Sequence, residues 1–125
     1  MQNREGRCYR IETRFPVASR HGHGTLEPLR DFPGGLVTRL SRDPGFAPLS
    51  PDGIAWFDTE TTGLGGAGTR IFLAGVGRLA SGGDAFHVVQ FLLYDDDGEA
   101  ALLHALFEEL SGASALATYN GKRFN

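Results

Sequence analysis

An α/β fold is expected for this chain: a mixed sheet in β-β-β-α-β order behind an irregular N-terminal arm. Three observations carry that expectation. Short runs rich in β-branched and aromatic residues, separated by glycine-rich turns, fill residues 54–94. From Glu99 the apolar residues change to a helical period, at Leu102, Leu103, Leu106, Phe107 and Leu110. A last short apolar run, 114–119, follows that helix, and a right-handed crossover returns such a strand parallel to the first.

The elements follow in order. Residues 1–53 hold all six prolines, and little in them is regular. The alternation at 9–15 suits one short strand, and 34–40 a brief helix. The rest is expected to be an extended arm packed on the remainder, so the chain divides into an arm, 1–53, and a sheet-forming region, 54–125. Ile54-Ala55-Trp56-Phe57 reads as a buried central strand ended by charge. Residues 70–79 form a second strand, in which Gly75 and Gly77 mark a bulge or a close backbone approach. Ser81-Gly82-Gly83-Asp84 turns the chain into a third strand over 85–94, making an antiparallel hairpin. Asp96 and Glu99 have capping-box spacing, Gly112 is a helix stop, and Asn120-Gly121 a turn.

Composition narrows the function. A chain of 125 residues has room for one domain. No apolar run approaches the roughly 18 residues of a membrane span, and Met1 to Glu5 lacks the apolar core of a signal peptide. The single Cys8 forms no internal disulfide, so a reducing, cytoplasmic setting is expected. Secreted miniproteins, membrane proteins and collagen-like chains are excluded. Residues 1–50 carry eight Arg against five acids, a net of +3, and residues 51–125 four basic and ten acidic groups, a net of −6. The overall balance of −3 argues against bulk electrostatic binding of nucleic acid, but not against carboxylates gathered around metal ions.

The chemistry concentrates in Asp58-Thr59-Glu60-Thr61-Thr62-Gly63-Leu64. Residues two apart on a strand share a face, so Asp58 and Glu60 project together where the apolar strand emerges. Mg²⁺ and Mn²⁺ prefer such hard oxygen ligands. This run resembles the first motif of DEDD-type 3′–5′ exonucleases with a ribonuclease H-like fold. The resemblance extends to the YprB-like ribonuclease H-like domains, through Arg14-Phe15-Pro16, His21-Gly22, the glycines from Gly65 to Gly68, and Thr118-Tyr119-Asn120-Gly121-Lys122-Arg123-Phe124.

The resemblance implies a metal-dependent nuclease using Mg²⁺ or Mn²⁺ on single-stranded ends of DNA or RNA. Asp58 would bridge two ions and Glu60 would bind the one that activates water. Asn120 would hold the substrate strand or its own loop. Leu64 would wedge beside the terminal base or anchor the loop, and Thr61 and Thr62 would donate to the terminal nucleotide or merely form the turn. One departure stands out: the family has an aspartate where this chain has Asn125. Its third motif would lie beyond residue 125, so the resemblance implies a ribonuclease H-like sheet that is incomplete at its C-terminal side. Two dipositive ions 4 Å apart repel by roughly 17 kcal/mol at an effective dielectric near 20, and Asn125 offers no charge against that. The alternative is therefore a non-catalytic nucleic-acid- or partner-binding module on the same fold.

Other patterns are weaker. Gly63-x-Gly65-x-x-Gly68 fits a dinucleotide fingerprint, but a strand rather than a helix is expected after it, so no nucleotide cofactor is expected. His21-Gly22-His23 lacks a third nearby ligand. Lys122-Arg123 reads as a solvated pair, and Asp95-Asp96-Asp97 lacks the alternation of a calcium loop.

Overall fold

The computed structural model describes residues 1–31, 34–46, 49–63 and 66–119. Its strands are β1 (Gln2–Asn3), β2 (Gly6–Pro16), β3 (Arg20–His21), β4 (Gly24–Thr25), β5 (Ile54–Thr61), β6 (Ile71–Leu79), β7 (Ala85–Leu93) and β8 (Ala115–Ala117). The helices are α1 (Gly34–Ser41) and α2 (Glu99–Leu110). One sheet runs β1-β2-β7-β6-β5-β8, and β3 pairs with β4 in a separate hairpin. β5, β6 and β7 form an antiparallel meander, while β8 lies parallel to β5 from Ile54↔Ala115 to Trp56↔Ala117. The expected α/β class and mixed β-β-β-α-β order are thus realised, with α2 as the crossover.

The meander turns where glycine allows it. Gly82 and Gly83 have φ of 90° and 73° between β6 and β7, a region that favours residues without Cβ. Gly112 (φ 87°) plays that part just after α2. The other end of α2 differs from the expected capping box. Gly98 occupies the cap position without a side-chain bond, and the Glu99 carboxylate accepts instead from the Ile71 N–H at 2.9 Å. Asp95 closes the preceding turn, its carbonyl accepting from Gly98 N–H at 3.0 Å. Glu99 therefore ties the start of the helix to the start of β6.

One sheet face is covered by α2. Cys8, Ala55, Ala74, Val76, Val89 and Phe91 meet Leu102, Ala105 and Leu106 there. The buried arc of α2 includes Ala101 and Ala105, whose small side chains let the helix approach the sheet. Phe107, placed on the apolar stripe by periodicity, is 73% exposed. Cys8 is enclosed at this interface, and burial pushes its thiol above the ordinary range. A protonated, occluded thiol is a poor nucleophile. Alkylation of Cys8 by iodoacetamide is therefore expected to track global unfolding in urea, and rapid labelling of the native protein would contradict its placement.

The arm contributes more strand than expected. β2 pairs with β7 without interruption from Cys8↔Leu93 to Pro16↔Ala85. Three of its charged residues are paired: Arg10 meets Glu12 at 2.9 Å and Arg14 meets Asp84 at 3.2 Å. The Arg10 hydrogen bond holds the Glu12 carboxyl below its usual range. Tyr9, Ile11 and Phe15 alternate onto the other face, where each is exposed.

The two glycines of β6 do not make a bulge; the register irregularity falls at Glu60/Thr61. Gly77 is a close approach, since a Cβ there would lie 2.5 Å from Cζ of Phe86. A Cβ on Gly75 would meet nothing within 4 Å. Gly77→Ala is accordingly expected to destabilise by about 1–3 kcal/mol in urea denaturation, while Gly75→Ala leaves the midpoint unchanged.

Candidate active site

β5 passes from buried to exposed along its length: Ile54 and Ala55 are buried, Asp58 and Glu60 are not. Ala55 and Phe57 pack towards α2, so Asp58 and Glu60 alternate onto the opposite, open face with Trp56. Their Cα atoms stand roughly 6.7 Å apart at strand spacing. The pairing places Gly75 beside Asp58, Gly77 beside Trp56 and Leu73 beside Glu60. A strand without side chains at two positions thus gives the acid pair a low floor on its β6 side. On the other side β8 pairs only as far as Trp56↔Ala117. Thr118 and Tyr119 continue past it and line, with Phe57 and Asp58, two grooves of about 290 Å³ and 490 Å³. The site therefore lies outside the carboxyl ends of two parallel strands, where open α/β sheets bind ligands.

The electrostatics are simple. Asp58 accepts from the Thr59 N–H at 2.9 Å. No ion pair to Asp58 or Glu60 occurs among the described residues. The pair offers two hard oxygen donors to a cation on one face of β5. No group of three or more His, Cys, Asp or Glu side chains forms a metal cluster among the described residues. Mg²⁺ sites commonly complete their shell with waters and substrate phosphates beyond one or two carboxylates. Asp58 and Glu60 fit that pattern.

The loop after β5 engages its own threonines. The Thr61 hydroxyl donates to the Gly63 carbonyl at 2.6 Å, and Thr62 Oγ1 accepts from the Arg70 N–H at 3.1 Å. Gly66 and Gly68, with φ of 105° and 88°, complete the turn. β6 follows the loop, and no helix opens between β5 and β6 among the described residues. His21 and His23 lie in the β3–β4 hairpin, away from any cluster of ligands among the described residues. Leu64, Asn120, Lys122, Arg123 and Asn125 lie outside the described residues. Trp56, Gly75 and Gly77 were absent from the expected site. Alternation along β5 points to Trp56, but the glycines join the site only through the β5–β6 register.

A family model described as the RNase H superfamily matches residues 55–125. The chain is also 36% identical over 124 residues to the uncharacterized protein YprB of Bacillus subtilis (strain 168), a match covering 94% of this chain. It spans 28% of that relative's length.

Proposed function

The chain belongs to the RNase H superfamily, as a YprB-like ribonuclease H-like domain, and from that premise we propose that it is part of a metal-dependent nuclease. The reaction proposed is hydrolysis of phosphodiester bonds from the 3′ end of single-stranded DNA or RNA, in the cytoplasm. One observation carries this reading: two carboxylates without an ion pair among the described residues share the open sheet face at the exposed end of a central strand. RNase H-like nucleases generally use divalent metals. Asp58 and Glu60 would hold Mg²⁺ or Mn²⁺, which when bound supplies water activation and neutralises charge at the scissile phosphate. The floor at Gly75 leaves room beside Asp58 for the sugar-phosphate. Tyr119, 86% exposed on the groove wall, would stack a terminal base. Thr61, Leu64 and Asn120 would position that nucleotide.

Asn125 favours a second reading, in which the fold binds nucleic acid or a protein partner without cleaving it. Incubating the full-length protein with a 5′-labelled single-stranded oligonucleotide and Mn²⁺ tests the first. A ladder shortening from the 3′ end, abolished by EDTA, is expected. An intact substrate with both the wild type and Asn125→Asp, alongside retained binding, would favour the module.

A further inference from the structure

The open sheet face holds a second feature besides the acid pair. Where the arm folds over it, a cavity of about 740 Å³ lies between β2, β7 and residues 19–29. That volume is within the roughly 300–1,000 Å³ typical of organic-ligand sites. Its aromatic surface comes from Phe15, Trp56 and Phe86, and Arg20 and His21 stand on its arm side. No carboxylate lines it among the described residues. The Arg20 guanidinium has no carboxylate partner among them either. Trp56, Phe86 and Val88 also line the 490 Å³ groove that reaches Asp58. The two spaces therefore share a wall, and one path leads from the acid pair, over the glycine floor of β6, into the arm.

We infer that this cavity is an upstream subsite for single-stranded nucleic acid. The inference rests on the nuclease reading for where the strand ends. A strand with its terminus at Asp58 crosses Gly75 and Gly77, stacks bases on Trp56, Phe86 and Phe15, and meets Arg20 with a phosphate. Charge favours this occupant: the strand leaves an acidic reaction centre for a basic segment, residues 1–50 carrying a net of +3. From β5 to β2 there are three interstrand steps, about 14 Å in all. At roughly 3.4 Å per stacked nucleotide that is about four nucleotides. Aromatic side chains, of which Phe15 is exposed and Trp56 and Phe86 are half-buried, together with a cation suit any base, so sequence preference is weak.

Trp56 is the only tryptophan of the chain, so its fluorescence reports on the shared wall. The full chain is titrated in EDTA with thymidine or uridine oligonucleotides two and eight nucleotides long. Saturable quenching by the eight-mer of either sugar is expected. Arg20→Glu, at an exposed hairpin position, should weaken eight-mer binding about tenfold and flatten its salt dependence. Dinucleotide binding should not change. Phe15→Ala gives a second loss of about tenfold, and a thermal melt of each variant confirms folding. Unchanged eight-mer affinity in folded Arg20→Glu overturns the subsite. So does a concentration-dependent spectral shift of Trp56 without nucleic acid, which assigns the cavity to a second copy. Asp58→Ala with Glu60→Ala should keep the quenching. Failure of hydrolysis with Arg20-dependent binding intact thus counts against the nuclease reading alone, and the reverse result against the subsite alone.

Discussion

Replacing Asp58 and Glu60 together by alanine is expected to lower metal-dependent hydrolysis by the full-length protein at least about 10²–10³-fold, the scale of removing one preorganised electrostatic group. The reasoning is electrostatic. The described part of the site offers two negative charges, both from these residues, and no other carboxylate is gathered beside them. Without them a divalent ion has no anionic anchor on β5. The same change should cost little stability in EDTA, because both side chains are exposed and neither makes an ion pair among the described residues. It should also erase any rise of the melting temperature on adding Mn²⁺; an ion at a hundred times its Kd stabilises by about 2.7 kcal/mol. Activity that survives the double substitution, with the melt still responding to Mn²⁺, would remove these two residues from the chemistry.

The largest stability effect is expected at Leu102. Its side chain is fully buried between α2 and the sheet, within the cluster containing Val76 and Phe91. Leu102→Ala should destabilise by about 2–5 kcal/mol, combining lost apolar transfer with the cavity left behind. Small domains are stable by only about 5–15 kcal/mol, so this removes a large part of the total. Phe107→Ala, on the same helix but 73% exposed, should stay within about 0.5 kcal/mol. Urea denaturation of the pair checks both the burial and the helix rotation. Equal costs would mean that α2 faces the sheet differently.

Those two positions show where periodicity stops being informative. Leu102 and Phe107 both belong to the apolar stripe, and only the need of Ala101 and Ala105 to lie against the sheet decides which is covered. The β5–β7 meander and α2 were legible because their patterns are local: period two, glycine turns, then period 3.6. The alternation at 9–15 showed the middle of β2 but not its full length, because Gly6 to Cys8 and Pro16 become strand only through their pairing with β1 and β7. Asp96 and Glu99 had the spacing of a box, yet the Ile71 N–H was the nearer claimant for the Glu99 carboxylate. At the site, the shared face of Asp58 and Glu60 follows from two-residue alternation alone. Gly75, Gly77 and the arm cavity depend on which strands meet, and no single segment encodes that.

The long pairing of β2 with β7 has a consequence for where this molecule can be divided. The family match begins at residue 55, yet nine consecutive residues of β7 have their partners in the arm. A piece starting there would present Ala85–Leu93, largely apolar and unbroken by proline, as a bare outer strand. Such rims recruit strands from other chains and seed fibrils. Gly6–Pro16, with Arg10, Glu12 and Arg14 interspersed, acts as a built-in guard that keeps the sheet from growing.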